Sequence, residues 1–347
     1  MTLKEIAEQV GVSTSTVSRV INKNDTKCAS QPVREKIWDA VTASGYVPNQ
    51  HAQRLKLAAS GQEDSMQATP EKNLACIFAR SGDINNDPFF NSIYRAVEKE
   101  AFRNGYFIKY SLSFPQLVSS YSLDLLKTAN IDGIVILGRC KAEHLQLLRN
   151  EFRNLVYVCL NAINPVIDQI ICDGYQVART AVNYLNSQGH TSIGYIGEIE
   201  NEIRYKGYRD EMEALGLPMP KEWIADVNLS MEGGYHGARR LKENGGLPTA
   251  IFCCNDITAV GAIKSIKEMG LEIPQDVSLL SIDDIEMASY VTPLLSTISI
   301  PKEEMGKMAV KILLDRINKG HRLPVRLELP YQIKARESCR KLTKEFL

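Results

Sequence analysis

Residues 12–21 run Val-Ser-Thr-Ser-Thr-Val-Ser-Arg-Val-Ile, and no other stretch restricts the possible folds of this chain as tightly. Just before them Leu3, Ile6, Ala7 and Val10 recur at helical spacing. A first helix with one apolar stripe therefore runs into Gly11, a residue able to take the backbone through a tight turn. Ser13 suits the N-cap of a second helix whose buried face is Val17, Val20 and Ile21. The opposite face carries Thr14, Ser15, Ser18, Arg19 and Asn22. Short hydroxyls at a helix tip, with a guanidinium one turn along, can reach base edges and phosphates in a major groove. An ordinary surface hairpin of two helices has the same periodicity, so the neighbouring residues decide.

A polar connection, 23–29, leads to a third helical pattern with Ser30 as cap, Pro32 in the first turn, Val33, Ile37, Ala40 and Val41 as stripe, and Gly45 as stop. Asn49 can then cap a further short helix over 51–57. Isolated helices below about 12 residues are marginal in water, so this one is expected to order only against a partner. The 347-residue chain is electrically balanced, with 41 basic and 41 acidic residues. Its first 58 residues nevertheless hold eight Lys plus Arg against five acids, a modest positive bias where nucleic acid would be met.

Leu3-Lys-Glu-Ile-Ala, Gly-Val-Ser-x-x-Thr-Val-Ser-Arg-Val-Ile-Asn, Gly-Tyr-x-Pro-Asn and Ala-Gln-x-Leu together resemble the headpiece and hinge helix of the LacI/GalR family of bacterial transcription regulators. The resemblance implies that Thr14, Ser15 and Arg19 face base edges. It also implies that the hinge segment, with Asn49, Ala52 and Leu55, lies in the minor groove, Leu55 wedging into a base step. An apolar wedge of that kind partly unstacks the step and bends the duplex. Two departures stand out: a second-to-third helix connection about two residues longer than usual, and a polar tether, 58–73, of a composition that behaves as a flexible linker.

From residue 74 the pattern changes to strands at 74–79, 106–110, 132–137 and 155–160, then 192–197, 250–254 and 277–282. Helical stretches at 91–104, 174–188, 234–244 and 258–269 separate them. Two such runs predict two doubly wound parallel sheets, so the fold class is α plus α/β. The resemblance makes these the lobes of a periplasmic-binding-protein-like core, with the chain crossing between them near 161–165, 289–294 and 321–324. The expected organisation is a helix-turn-helix headpiece, 1–48, a hinge helix, 49–57, and a linker, 58–73. The N-terminal lobe is then 74–161 plus 291–321, and the C-terminal lobe 162–290 plus 322–340.

Open α/β sheets bind ligands beyond the carboxyl ends of their strands. After the first strand come Phe89 and Phe90, either of which can offer a ring face to a ligand or equally fill the core under the loop. Arg204, Asn255 and Asp283 follow strands of the second set, and a guanidinium, an amide and a carboxylate converging on one crevice can hydrogen-bond several hydroxyls. The same positions match the effector contacts that the resemblance implies, with Asn161 added and Arg139 as a weaker candidate. Leu229 stands where many relatives carry a stacking aromatic. Pieces such as Ile131-Asp-Gly-Ile are similar to galactose-type members.

The eight cysteines show no C-x-x-C and no metal-ligand spacing, and no nucleotide-loop, nucleophile-elbow or zinc-protease motif occurs, so neither a metal nor catalysis is expected. The start lacks the apolar core of a secretory signal and no apolar run is long enough to span a bilayer, so a cytoplasmic protein is expected. The implied protein is a regulator, a repressor in the commoner case, of a sugar-utilisation operon. It would bind a near-palindromic operator in double-stranded DNA as a homodimer, without tail heptads for a tetramer, under control of a small carbohydrate effector and with no other cofactor.

Overall fold

A computed structural model describes residues 3–21, 29, 30, 32–34, 36, 37, 40, 72–79, 87–118, 120–164 and 166–342. The chain divides into two compact units, Met1–Thr69 and Pro70–Leu347.

In the first unit, α1 (Leu3–Val10) and α2 (Thr14–Ile21) are separated by Gly11, whose φ of 73° is the left-handed conformation that favours glycine. The Val12 N–H donates to the Ala7 carbonyl at 3.0 Å and closes α1. Ser13 caps α2, its Oγ accepting the Thr16 N–H at 3.1 Å. Ile6 and Ala7 of α1, Val17 and Val20 of α2, and Ile37 and Ala40 beyond them form a small core. The Ser30 carbonyl accepts the N–H groups of Val33 and Arg34 at 3.1 and 3.0 Å, the opening turn of the expected third helix. Gly45, the hinge segment 49–57 and all but the last two linker residues lie outside the described residues. Asn73, expected to end the linker, already opens the first strand.

The second unit contains β1 (Asn73–Phe78), α3 (Pro88–Arg103), β2 (Phe107–Ser113), α4 (Phe114–Val118), α5 (Ser120–Thr128), β3 (Gly133–Leu137), α6 (Ala142–Glu151), β4 (Leu155–Cys159) and β5 (Asp168–Ile171). There follow α7 (Gly174–Ser187), β6 (Ile193–Gly197), α8 (Ile203–Ala214), β7 (Ile224–Asp226), α9 (Met231–Gly245), β8 (Ala250–Cys253), α10 (Asp256–Glu268), β9 (Ser278–Asp283) and β10 (Ser296–Ser299). The last elements are α11 (Lys302–Ile317), β11 (Arg326–Glu328) and β12 (Gln332–Lys334). One sheet has the order β11-β5-β4-β3-β1-β2 and the other β12-β10-β9-β8-β6-β7. Every pairing is parallel except that of β10 with β12.

The lobes exchange chain later than the sequence reading places the crossings. β5 and β11, assigned to the C-terminal lobe by the expected boundaries, belong to the first sheet, and β10, assigned to the N-terminal lobe, belongs to the second. The crossings therefore fall at 172–173, 300–301 and 329–331, after which α7 packs on β8, β9 and α8, and α11 on α3, β3, β4 and β5. For β5 and β10 the physical reason is polar side chains buried in strands. β5 opens on Asp168 and Gln169, both fully buried and fully bonded. Asp168 accepts from Arg316, His321 and the Val325 N–H, while Gln169 holds both the N–H and the carbonyl of Ile163. β10 reads Ser-Thr-Ile-Ser, with Ser296 and Thr297 bonded to Ser338 and Asp256. Such strands lack the apolar run by which buried parallel strands are recognised.

Three helices begin earlier than expected because capping residues extend them. Asp87, Ser230 and Asn255 cap α3, α9 and α10, accepting N–H groups from the first turn of each. Glycines press α9 onto α10. A Cβ on Gly234 would lie 1.9 Å from the Thr258 carbonyl oxygen, and one on Gly261 1.8 Å from that of Met231. Among the described residues no helix is long and apolar enough to cross a membrane.

Candidate functional site: a cleft between two strand-end switch points

Within each sheet five strands follow the doubly wound order 2-1-3-4-5: β2-β1-β3-β4-β5 in one and β7-β6-β8-β9-β10 in the other. Chain leaving the two central strands of this order diverges and opens a crevice at their carboxyl ends. Those ends line one cavity of about 690 Å³. The first lobe contributes Phe89, Phe90, Arg139 and Asn161, and the second Arg204, Asn255 and Asp283. All seven positions singled out from the sequence thus meet in a single cleft, joined by Leu229 as an aliphatic wall.

Their states differ. Phe89 is only 5% exposed and belongs to the main core while still lining the cleft, whereas Phe90 is half-buried. The two rings meet edge to face at 5.0 Å. The Asn255 Oδ1 is engaged as a helix cap by the Thr258 N–H at 3.0 Å, so its amide nitrogen is the part that can serve a ligand. Asn161 follows β4 on a loop pinned by the Gln169–Ile163 bonds.

Arg204 is buried and closed upon its own helix cap. Its Nε and Nη2 donate to the two carboxylate oxygens of Glu202 at 2.8 and 3.0 Å, and its Nη1 to the Cys254 carbonyl at 3.0 Å. Arg139 reaches across from the first lobe to the Asn201 carbonyl at 2.7 Å, Glu198 at 2.8 Å and Glu202 at 3.4 Å. Burial opposes ionisation of Glu202, but the charge and hydrogen bonds of Arg204, helped by Arg139, outweigh it and hold the carboxyl at about 2.

Asp283 is the exception in this network. It ends β9 with a φ of 121°, followed by Asp284 at 55°, two left-handed non-glycine residues of the kind that cluster at ligand sites. Lys302, just past the second crossing, fixes this strained pair by donating to both backbone carbonyls, while Arg336 holds the Asp284 carboxylate at 2.5 Å. The Asp283 side chain is 3% exposed, and its Oδ1 has no hydrogen-bond partner among the described residues. Burial, then the neighbouring Asp256, drives its pKa well above the usual carboxylate range despite Arg204 and Lys302. Asp256 itself is raised to about 6 by burial, although Ser281, Thr297 and the Ile285 N–H all bond it.

Glu198, Glu202 and Lys302 escaped the sequence reading. Glu202 had a local signal, a carboxylate two residues before a strand-end arginine and therefore able to cap the helix that carries it. Lys302 had none, because it meets Asp283 only through the fold.

On α2, Thr14, Ser15 and Arg19 are exposed, and Ser18 lies on the same helix. The hydroxyls at its tip are gathered, with Ser13 Oγ lying 2.7 Å from that of Ser15 and 2.8 Å from Thr16 Oγ1. Asn22, Asn49, Ala52 and Leu55, expected to touch DNA, lie outside the described residues.

A small helical unit with a polar, exposed helix tip, combined with a two-lobed strand-end cleft, defines an effector-responsive DNA-binding regulator. Residues 2–49 match the family model described as bacterial regulatory proteins, lacI family, and residues 182–339 that of the periplasmic binding protein-like domain. The chain is 31% identical over 345 residues to the HTH-type transcriptional repressor PurR of Shigella dysenteriae, covering 97% of this chain and 96% of that protein. The PurR of Salmonella paratyphi A is 32% identical over 328 residues, covering 91% and 90%. Among solved structures, a complex of the transcriptional regulator CelR with cellobiose aligns at a TM-score of 0.68 and 24% identity over 97% of this chain and 99% of that one. A LacI family regulator from Enterococcus faecium with bound ribose aligns at 0.68 and 24% over 78% and 100%. The chain belongs to the lacI family of bacterial regulatory proteins. It is a DNA-binding transcriptional repressor governed by a small-molecule effector; it is not an enzyme and uses no cofactor.

Proposed function

We propose that this repressor controls a sugar-utilisation operon from the cytoplasm. As a homodimer it binds a near-palindromic operator through Thr14, Ser15, Ser18, Arg19 and Asn22, and through Asn49, Ala52 and Leu55 of the hinge. A small carbohydrate in the inter-lobe cleft, held by Phe89, Phe90, Asn161, Arg204, Asn255 and Asp283, shifts the two lobes and with them the preference for DNA. The observation that carries this reading is the convergence of aromatic rings, amides and a buried acid with an unanswered oxygen on one cleft of ligand size. The solved relatives with cellobiose and ribose agree with it. An exposed apolar patch supports the dimer reading. Phe102 and Phe107, paired edge to face at 5.9 Å, and Val118 are exposed beside β2, the edge strand of the first sheet.

The test is capture of fragmented host DNA by the purified protein, with and without a panel of sugars, followed by sequencing. Two-fold symmetric sites whose retention changes with one sugar are expected, together with dimer-sized sedimentation. Enrichment without symmetry, or retention indifferent to every sugar, defeats the reading.

A further inference from the structure

We propose that Glu202, assisted by Glu198, sets the charge class of the effector: an uncharged molecule rich in hydrogen-bond donors, to the exclusion of phosphorylated or carboxylated ones. This rests on the cleft being the effector site. Strand-end clefts attract anions through two devices, the N–H groups of helix N-termini and arginine forks. In this cleft the chain's own side chains already fill the Arg204 fork and cap each helix N-terminus. Asp87 takes the N–H groups of Phe89 and Phe90 at 3.1 and 3.2 Å, Ser230 that of Gly233 at 2.9 Å, and Asn255 that of Thr258 at 3.0 Å. Glu202 takes the Arg204 N–H at 3.1 Å and also fills that residue's guanidinium fork with both carboxylate oxygens, the position a phosphate would otherwise seek. Arg139 is engaged by Glu198 and the Asn201 carbonyl.

Among the described residues the cavity is lined by three carboxylates, Asp87, Glu198 and Glu202, and by Asp283, whose burial favours the protonated acid, against two guanidiniums, Arg139 and Arg204. An arriving anion finds no open cationic fork and an excess of negative charge. The group left without a partner is the Asp283 Oδ1, which a ligand hydroxyl can satisfy. The pocket is therefore finished for neutral hydroxyls, with its arginines acting as scaffolding for Glu202 rather than as anion receptors.

The experiment compares thermal unfolding of the full-length wild type, E202Q, E198Q and R204M in inorganic phosphate against chloride at matched ionic strength, and in glucose or galactose against their 6-phosphates. The R204M response is subtracted so that phosphate held at the DNA-reading surface cancels. Wild type is expected to show no Arg204-dependent phosphate response. E202Q, with its fork opened, gains at least about tenfold in phosphate affinity, equivalent to about 1.4 kcal/mol, and E198Q gains less. A wild type stabilised by phosphate through Arg204, or preferring a sugar 6-phosphate to its parent sugar, overturns the proposal, as does a folded E202Q blind to phosphate. If E202Q does not fold, the wild-type and E198Q arms still decide. Failure of every neutral sugar with phosphate also excluded would instead count against the carbohydrate reading and leave the charge exclusion standing.

Discussion

Asp168 and Asp283 are both buried aspartates at strand ends, one opening β5 in the first lobe and the other closing β9 in the second. Asp168 has every need answered: Arg316 grips both oxygens, His321 Nε2 lies 3.0 Å away, and the Val325 N–H donates at 2.8 Å. Burial alone would raise its pKa, but Arg316, Val325 and His321 bring it below the usual value. Asp283 is left with an orphaned oxygen, a second carboxylate for a neighbour, and a pKa driven upward. The difference separates structure from function. An acid that ties a sheet edge to a helix and a loop is satisfied within the fold, whereas an acid awaiting a ligand is left unsatisfied by it.

Substitution sharpens the contrast most. Asp168→Ala leaves Arg316 facing a partly buried site without its counter-charge, and a loss of about 3–5 kcal/mol in urea unfolding is expected. Asp283→Asn should go the other way, gaining about 0.5–2 kcal/mol, because a buried acid with one oxygen unanswered is a cost borne for binding. The same variant should bind operator normally and lose its response to effector, read by DNA mobility shift across a ligand titration. Equal destabilisation by the two substitutions, or an intact effector response in Asp283→Asn, would break the comparison.

The same contrast explains what was legible in the sequence. Strands made of apolar runs, such as β1, β3, β8 and β9, announced themselves, and with them the strand ends and the seven cleft residues. Helix α2 was legible because Gly11 and Ser13 fix its start by local chemistry. β5 and β10 were not, since three of their buried polar residues are satisfied by partners 40 or more positions away: Asp168 by Arg316, Thr297 by Asp256 and Ser296 by Ser338. That non-local satisfaction shifted the first two inter-lobe crossings. Phe89 and Phe90 looked equivalent in sequence, and only packing divides them into a core ring and a half-buried one. Arg204 was found by position, but the cap that neutralises it was not.

The smallest expected effect concerns pH. His321 places Nδ1 2.6 Å from Asp315 and Nε2 3.0 Å from Asp168, so both ring nitrogens face carboxylates and can donate to both at once only as the imidazolium. The hydrogen bond to Asp315 raises its pKa most, burial works against the rise, and Asp168 adds to it while Arg316 subtracts. A histidine whose folded pKa exceeds its unfolded one stabilises fully below the unfolded value, about 6.5. That stabilisation is lost as pH climbs through the folded value. Melting temperatures of wild type and His321→Gln should therefore differ most below about pH 6.5 and converge as pH rises through the raised folded value. The difference should be modest, because an ion pair reached by water is screened. Asp283 loses stability in the same direction as pH rises, but in both proteins alike, so the difference between the two melting curves isolates the histidine. A flat difference would mean that His321 is neutral and that Asp168 leans on Arg316 and Val325 alone. The answered acid would then be one charge closer to the unanswered one.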